Sequence, residues 1–545
     1  MVRTLLWPLR HDPWLDNGLE RWGCLLQEVS RQHPKLLRLE WRRDGLLVEL
    51  QDVDALVPIV DDALERQLRP NLFYTYVNRR GERGQRLLDF IGFNQQPPKQ
   101  WPQLYLSDAA KRQHLLRAAL SGESGGSRAC PLCGSPLGRQ PPTLTLSVYP
   151  LVTKNKAFSG ARTLWTGNGF EGRPTNVPVC HRCYLLGALT WADEGLLYLC
   201  GLGPDRSLAV AVLPAPPTAD LLGLHRQKEQ YRGQLRHERL WRTNVYYRPA
   251  SAASSASEQE EQDEEEAETA EAAGERPVRE GRFSLLLAFL ERCLKEVADK
   301  GPGEPFQIGD VRRQVPNGWL FISMPQGRMK NVTVHDLVLD EPTLQLLVRL
   351  VEMGIEPYAH VLAQIGLTDD RGRPLGEMQA NMREAMAQGL LSGNFVIFAR
   401  AFLPRPRQQL RLYGALEGPI QAIVTEWRWR GMEEQLETVR KAGYALAEIA
   451  ASRRQPVILY NLERVRTRSD LLSTLKEAVH RLIGLGADDM RYISVAALED
   501  LVQLAHRDTV PFEDLKNTLF VFAGVAYARK VIAQARSQQG GEGDA

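Results

Sequence analysis

The sequence predicts an α+β protein: a mixed N-terminal domain, a disordered acidic linker and a C-terminal α-helical domain that ends in a helical bundle. Three patterns lead to this prediction. In the first half, alternating apolar residues flank Asp44-Gly45, a strong short signal for a β-hairpin. Residues 250–281 are rich in Ser, Ala and Glu and contain no aromatic residue, so they are unable to bury a core. From Phe283 onward, apolar residues recur at helical spacing.

These patterns divide the 545-residue chain into four segments. They are a basic mixed domain over 1–249, the acidic linker over 250–281, a helical and mixed connecting domain over 282–414, and a helical bundle over 415–536. The hydrophobic content of 43% is enough for sizeable cores. No apolar run reaches the roughly 18 residues of a membrane span, and the first ten residues lack the features of a signal peptide. With several unpaired cysteines, this predicts a cytoplasmic protein without a membrane segment.

The element pattern is predicted more finely in places. Hairpins are predicted over 36–50 and over 196–213, and a strand over 143–152. Helices are predicted over 53–68, 107–120, 283–297, 420–452 (as one long helix), 469–484, 495–506 and 512–535, and basic residues recur at helical spacing at 228, 232, 236 and 239.

Charge is distributed unevenly along the chain. Residues 1–249 carry 33 Lys and Arg against 23 Asp and Glu, a net charge of +10. Residues 250–280 carry 2 Lys and Arg against 11 Asp and Glu, and residues 281–545 carry 33 Lys and Arg against 32 Asp and Glu. A basic first half followed by an acidic tract indicates nucleic-acid contact in the first half. Arg outnumbers Lys by 55 to 13, which suits bidentate phosphate contacts, although a GC-rich genome explains it equally well.

Two cysteine pairs are the most specific motif. Cys130-Pro131-Leu132-Cys133-Gly134 and Cys180-His181-Arg182-Cys183 each have the spacing that lets two thiolates on one tight turn reach the same metal ion. Four thiolates complete a closed tetrahedral Zn²⁺ site with no open position for a substrate, so the zinc is predicted to be structural. The zinc element therefore spans 130–183, inside the N-terminal domain.

The alternatives to zinc are four ordinary cysteines, a disulfide pair or a thioredoxin-like redox motif. Two such pairs within 54 residues are unlikely by chance in a chain with seven cysteines, and neither pair follows a strand of a clear βαβ unit. Cys24, Cys200 and Cys293 stand alone and are predicted to be core thiols.

Four basic segments are candidates for nucleic-acid contact. Lys154, Asn155, Lys156, Arg162 and Asn168 lie in a Gly-rich loop, where Asn and Lys side chains suit base edges. Arg79, Arg80 and Arg83 lie in a second Gly-punctuated loop, which is either a phosphate-contacting loop or a solvated turn. Arg226, Lys228, Arg232, Arg236, Arg239 and Arg242 form a stripe with interleaved aromatic residues, typical of nucleic-acid binding, with a solvated helix as the alternative. Arg328 and Lys330 lie in a fourth basic loop.

No catalytic constellation is evident in the sequence. It contains no Walker A run, no G-x-S-x-G and no H-E-x-x-H. His11-Asp12 is an isolated pair and is interpreted as structural. A non-enzymatic protein is therefore expected.

The chain resembles the large subunit of type I CRISPR surveillance complexes (Cascade), in the zinc-containing variant of the I-B or I-A branch. The resemblance lies in Cys130-Pro131-x-Cys133-Gly134, in Thr175-Asn176-Val177-Pro178-Val179-Cys180-x-x-Cys183, and in a helix near Leu185–Trp191. The basic N-terminal region and the C-terminal helices are also similar.

The resemblance implies a non-catalytic subunit in antiviral defence. Its implied partners are crRNA, target double-stranded DNA, the Cascade backbone subunits, the small subunit and a helicase-nuclease recruited after target binding. Its implied task is recognition of the short motif that flanks the target (PAM recognition), with help in strand opening. In such families a C-terminal piece made by internal translation can serve as the small subunit, and Met432 is a candidate start. The alternatives are a zinc-scaffolded RNA-binding or processing factor outside CRISPR, and an enzyme whose active residues are scattered.

Overall fold

The computed structural model describes residues 2–77, 83–87, 109–122, 128–138, 140–144, 148–150, 177–202, 208–216, 220–235, 243–249, 274–299, 311, 315–325, 332–403, 405, 407–452, 456–481, 494–507 and 509–540. The helices are α1 Pro13–Gln32, α2 Val53–Gln67, α3 Ala109–Ser121, α4 His181–Trp191, α5 Leu221–Arg232, α6 Arg282–Asp299, α7 Glu341–Glu352, α8 Gly376–Leu391, α9 Phe395–Arg400, α10 Glu417–Val424, α11 Glu433–Ser452, α12 Val457–Arg464, α13 Arg468–His480, α14 Val495–Arg507 and α15 Phe512–Gly540. The strands are β1 Arg3–Pro8, β2 Leu37–Trp41, β3 Gly45–Leu50, β4 Phe73–Val77, β5 Arg83–Leu87, β6 Leu197–Leu202, β7 Leu208–Pro214, β8 Tyr246–Tyr247, β9 Arg276–Pro277, β10 Gly318–Pro325, β11 Thr333–Val338, β12 Ile365–Thr368 and β13 Gln409–Leu412. The predicted mixture of helices and strands is confirmed.

The first sheet is a three-stranded antiparallel sheet in the order β1-β3-β2. The predicted hairpin around Asp44-Gly45 forms its β2–β3 pair. Strand β1 adds to the other side of β3, with Arg3 opposite Leu50. Helix α1 covers this sheet and buries Trp14 and Trp22 completely. The N-terminal core thus lies between the sheet and helices α1, α2 and α4.

A second sheet, in the order β11-β10-β7-β6, takes strands from both sides of the acidic segment. The predicted hairpin over 196–213 supplies β6 and β7, and β10 pairs with β7 so that Leu320 lies opposite Leu213. Along β7, Val210 and Val212 face the C-terminal core, whereas Ala209, Ala211 and Leu213 face the N-terminal core. Because successive side chains of a strand point to opposite faces, one face of this sheet packs on the N-terminal core and the other on the C-terminal core.

The last residues of the predicted linker over 250–281 are folded. Within the described residues 274–281, β9 pairs with β8, and Val278 is fully buried. Glu280 forms an ion pair with Arg383 of α8 at 2.8 Å, and both side chains are nearly buried. An apolar residue and a buried ion pair hold this end of the predicted linker against the C-terminal core. The sequence between residues 250 and 273 lies outside the described ranges.

The C-terminal helices differ from the prediction at one position. The predicted single helix over 420–452 is wrong: α10 continues into a π-helical turn at Thr425–Trp429 and α11 starts at Glu433. Gly431 between them has φ of +78°, a left-handed conformation that ends the first helix. Helix α15 then packs against α11, where Gly443 leaves room for Phe522. Helices α13, α14 and α15 agree with the predicted ranges.

Candidate metal centre

The first cysteine pair lies in a tight turn between two short antiparallel segments. Ala129 pairs with Pro136 across the turn. The amide of Cys130 donates to Ser135 O at 2.7 Å, and the amide of Gly134 donates to Cys130 O at 2.8 Å. Gly134 has φ of +72°, where a side chain would be disfavoured. The Cys-x-x-Cys-Gly sequence therefore folds as a knuckle that places two sulfur atoms on one side.

The second pair begins helix α4. A bridge between Thr143 and Pro178 leads into Cys180, which is the N-cap residue of the helix. The sulfur of Cys180 accepts from the amide of Cys183 at 3.4 Å, and the amide of Cys180 donates to the sulfur of Cys130 at 3.3 Å. The positive end of a helix dipole favours thiolates, so this turn suits anionic ligands.

The four sulfur atoms of Cys130, Cys133, Cys180 and Cys183 converge. All lie within 4.8 Å of one another, and the sulfurs of Cys133 and Cys180 are 3.6 Å apart. Four sulfurs at ~2.3 Å from a tetrahedral ion would be separated by about 3.8 Å. No disulfide joins any of the seven cysteines, all of which lie in the described ranges. The donor set fits a single four-coordinate ion.

Hydrogen bonds among the sulfur atoms separate their pKa values. Contact with Cys130 lowers the pKa of Cys133 and raises the pKa values of Cys180 and Cys183. For Cys130, contact with Cys133 opposes the shift, but contacts with Cys180 and Cys183 lower its pKa to about 7. A cation bound at the centre of the four sulfurs would stabilise all of them as thiolates and release their protons.

Helix α4 links the cysteine cluster to the N-terminal core. The indole nitrogen of Trp14 in α1 donates to Val148 O at 2.9 Å and to Gly187 O at 3.0 Å. Gly18 and Gly187 permit the close approach, because a Cβ on Gly18 would lie 2.0 Å from Leu186 O. A metal ion bound by the four cysteines at the start of α4 would therefore fix the helix against which α1 packs.

No protein-family model matches the chain, and a search of curated proteins finds no match. Within the part of the chain that the structure describes, no helix is both long and apolar enough to span a membrane. The residues and their geometry therefore provide the evidence for function.

Most of the predicted nucleic-acid contacts fall outside the described residues. These are Arg79, Arg80, Lys154, Asn155, Lys156, Arg162, Asn168, Arg236, Arg239, Arg242, Arg328 and Lys330. Arg83 begins strand β5, where it is opposite Val77. Arg226 lies on α5 and is exposed.

For Lys228 and Arg232 the predicted role in phosphate contact is wrong. The side chain of Lys228 is fully buried and forms ion pairs with Glu20 at 3.0 Å and with Asp193. Arg232 pairs with the same two carboxylates and has only 14% of its side chain exposed. Helix α5 ends at Arg232, with Gly233 as its C-cap. These two cations hold α5 against α1 and the loop after α4.

This buried network is hard to predict from the sequence, because the carboxylates that pair with Lys228 and Arg232 lie far from α5 along the chain. Glu20 lies on the buried face of α1 and Asp193 follows α4, whereas the acids nearest the stripe in the sequence are Glu229 and Glu238. Burial alone would raise the pKa of Glu20, but the charges of Arg232 and Lys228 hold it well below its usual value. The pKa of Asp193 is lowered by Lys228 and Arg232, again against the effect of burial. Both carboxylates are therefore ionised.

Glu20, Cys24 and His225 also lie close enough together to share an ion. The ring of His225 stacks on Trp41 at 3.9 Å, and its Nδ1 is 2.9 Å from Glu20. However, Glu20 already pairs with Lys228 and Arg232, whose charges disfavour another cation at this position. Burial raises the pKa of Cys24 to about 12, so its thiol is protonated. This cluster is a structural clamp between α1 and α5.

Proposed function

We propose that this chain is the non-catalytic large subunit of a crRNA-guided DNA-targeting complex, with a structural Zn²⁺ bound by Cys130, Cys133, Cys180 and Cys183. The main support is the convergence of the two knuckles, which are far apart in the sequence. Four thiolates fill the coordination sphere of zinc and leave no position for a substrate water, so the metal has a folding role.

The zinc centre gives the intervening segment two fixed ends. The first knuckle closes at Gly134 and the second opens at Cys180, next to a helix that packs firmly on α1. In our proposal, residues 154–168 read the target-flanking motif from this frame, with Lys154, Asn155, Lys156, Arg162 and Asn168 contacting the duplex. Asn suits adenine edges and Lys suits guanine edges in the major groove.

The surface that contacts DNA phosphates is proposed to include fewer residues than the basic stripe predicted from the sequence. Lys228 and Arg232 are excluded by burial, which leaves the exposed Arg226 together with Arg236, Arg239 and Arg242. Arg79, Arg80, Arg83, Arg328 and Lys330 remain proposed backbone contacts. In this proposal the chain works in the cytoplasm beside crRNA and the backbone subunits, and a helicase-nuclease is recruited after target binding.

Salt dependence tests the phosphate contacts. Replacing Arg236 and Arg239 by Gln should weaken DNA binding for all sequences and make the slope of log K against log salt shallower by ~0.9 per lost contact. Arg66→Gln is a matched control, because Arg66 is exposed and paired with Asp62 within α2. An unchanged slope in the double variant would eliminate this surface as a phosphate tracker.

The RNA that copurifies with the chain tests the proposed complex. A tagged chain expressed with its neighbouring genes should retain repeat-derived crRNA and backbone subunits, and the assembly should bind target DNA only with the correct flanking motif. Ala variants of Lys154, Asn155, Lys156 and Asn168 should lose that discrimination by ~1–3 kcal/mol per base pair. Recovery of other cellular RNA without DNA targeting would instead favour the zinc-scaffolded RNA-processing factor. Nuclease activity that persists through purification would favour an enzyme.

A further inference from the structure

Two turns that carry arginines lie at one end of the small sheet formed by β12 and β13. These strands are antiparallel, with Thr368 opposite Gln409, so β12 ends where β13 begins. Pro374 pairs with Thr368 from the other side, which places a third short segment beside β12. Adjacent strands are ~4.8 Å apart, so the returning end of the turn after β12 lies roughly 10 Å from the turn before β13.

The first turn, over residues 369–373, is held by its own carboxylate. Oδ1 of Asp369 accepts from the amides of Arg371 and Arg373, each at 2.8 Å, and the amide of Asp369 donates to Arg373 O at 2.9 Å. The side chains of Arg371 and Arg373 are both exposed. The carboxylate of Asp369 therefore stabilises the backbone of the turn, and the two arginine side chains extend into solvent.

The second turn, over residues 405–408, contains an arginine in a strained conformation. Arg405 and Gln408 form a bridge, and the amide of Gln408 donates to Arg405 O at 3.1 Å. Arg407 has φ of +60°, a left-handed conformation that is costly for a residue with a long side chain. In the described part of the chain, His11 is the one other non-glycine residue with a positive φ. Strain of this kind is concentrated at functional positions, so Arg407 is a candidate for a binding role.

Few carboxylates balance the arginines of these turns. The 32 residues between Glu384 and Glu417 contain four arginines and no Asp or Glu. Including Arg411 of β13, five arginines lie at this end of the sheet, against three acids over residues 369–377, so the surface carries a net positive charge. Within the described residues, no ion pair involves the four exposed arginines of the turns, which are Arg371, Arg373, Arg405 and Arg407.

A tyrosine extends this basic surface onto the helical bundle. Burial raises the pKa of Tyr460 in α12, and the nearby charge of Asp370 in the first turn raises it further. Tyr460 is half-buried, so part of this residue reaches the surface. Arg464 is exposed and lies four residues later, on the same side of α12. Arginines beside an accessible aromatic residue are typical of surfaces that bind single-stranded nucleic acids.

We propose that the arginines of the two turns and the adjacent tyrosine bind the phosphate backbone of a single-stranded nucleic acid. This set is called the β12–β13 surface and consists of Arg371, Arg373, Arg405, Arg407 and Tyr460. Planar guanidinium groups pair with phosphates through two parallel hydrogen bonds. Cations on two turns suit a chain of phosphates better than a single phosphate ion. Tyr460 offers a ring for an unpaired base, whereas the bases of a duplex already stack on one another.

The salt dependence of binding by the full chain tests the four arginines. With fluorescein-labelled oligothymidylate, changing all four to Gln should make the slope of log K against log salt shallower by ~0.7 per lost phosphate contact, which is about 2.8 in all. The matched control changes to Gln four surface arginines that already pair with carboxylates, namely Arg42, Arg66, Arg440 and Arg481. This control removes the same charge and should leave the slope unchanged. An unchanged slope in the first variant, or an equal change in the control, overturns the proposal.

Two substitutions of Arg407 separate backbone strain from binding. Because glycine adopts a positive φ at little cost, Arg407→Gly should not lower the melting temperature. It should nevertheless weaken oligonucleotide binding as much as Arg407→Gln does, since both variants lose the guanidinium group. Affinity that is unchanged in both variants overturns the assignment of Arg407 as a phosphate contact.

Oligouridylate and oligothymidylate distinguish the two sources of such a strand, RNA and DNA. Tighter binding of oligouridylate that is lost in the four-arginine variant assigns RNA, and tighter binding of oligothymidylate that is lost in this variant assigns DNA. Equal binding that is lost in this variant assigns the shared phosphodiester backbone. Binding of an acidic peptide as tightly as the oligonucleotides, with the same loss, overturns the nucleic-acid assignment in favour of an acidic protein partner.

The β12–β13 surface goes beyond the proposed function, because none of its residues is among the DNA contacts assigned above. Discrimination between flanking motifs compares two DNA sequences, so the loss of sequence-independent contacts should leave that discrimination unchanged. A slope that depends on the four arginines, in a chain without such discrimination, supports the surface and contradicts the proposed function. Discrimination without any effect of the four arginines on the slope overturns the surface and leaves the proposed function standing.

Discussion

Replacing Lys228 by Met tests the role of the buried network directly. Lys228 is fully buried and contacts Glu20, Asp193 and Asn17. Methionine fills a similar volume but removes the charge, so two ionised carboxylates would share the single guanidinium of Arg232. If Lys228 instead contacted phosphates, the substitution would weaken nucleic-acid binding and leave stability unchanged.

The expected loss is large because a partner of a buried ion pair is removed. Such changes cost ~3–5 kcal/mol, as the remaining charge stays buried without compensation. The loss should be greater at pH 8 than at pH 5, since protonation of one carboxylate relieves the excess negative charge at the lower pH. Exchange of the amide protons of α1 and α5 should accelerate at least about a hundredfold at pH 8.

Hydrogen exchange measured by mass spectrometry reports this local stability without requiring two-state unfolding. Arg226→Ala is the matched control on the same helix, because its exposed side chain should change stability by no more than ~0.5 kcal/mol. Adding Asp193→Asn to Lys228→Met removes the surplus charge and should restore part of the protection. Unchanged exchange in Lys228→Met would refute the network as a clamp between α1 and α5.

Three further predictions follow from the same structure. The pKa values of Glu20 and Asp193 are lowered on folding, so the stabilisation that these carboxylates provide is present above the unfolded pKa near 4 and is lost as the pH falls through the lower folded pKa values. Acid unfolding, followed by tryptophan fluorescence, should therefore begin at a higher pH in a variant that lacks this network than in the wild-type chain. Gly18→Ala should destabilise the chain by ~1–3 kcal/mol because its Cβ would overlap α4, whereas the control Gly376→Ala, which meets open space, should be neutral or stabilising in thermal unfolding. A C-terminally tagged gene should yield a second short product starting at Met432, and the absence of that product with no effect of Met432→Leu would contradict the internal start.

The Met432 prediction is constrained by how the last helix packs. Gly431 ends the preceding helix just before Met432, so a product that starts at Met432 would begin one residue before α11. Yet Gly524 of α15 packs so closely on Phe402 that a Cβ would lie 2.0 Å from its carbonyl oxygen, and Thr518 accepts from Trp429. A separate product must therefore cover this face of α15 in another way.

Local signals determined which parts of the fold were predictable. The hairpin at Asp44-Gly45 and the amphipathic helices have periodicities that short windows reveal. Strand β10 was missed because it is buried on both faces: Trp319 and Phe321 face one core, and Leu320 and Ile322 face the other. A continuous apolar run of this kind does not distinguish strand from helix.

The two buried clusters show the same contrast. Each cysteine pair lies within four residues, so its chemistry could be predicted from the sequence, and one shared ion then predicts that the pairs meet. The partners of Lys228 are Glu20 and Asp193, which are brought together only by the packing of α1, α4 and α5. From the sequence alone, Lys228 and Arg232 are therefore predicted to bind phosphate, because their tertiary partners are not evident.

Native mass spectrometry of the full chain, purified without chelator, tests the four-cysteine centre most directly. We expect one Zn²⁺ per chain, its loss in Cys180→Ser, and its retention in Cys200→Ser, a matched control at a cysteine outside the four-cysteine cluster. Loss of zinc should also raise hydrogen exchange in α4, because a structural site supplies folding free energy. A fully folded wild-type chain without any metal would contradict the account.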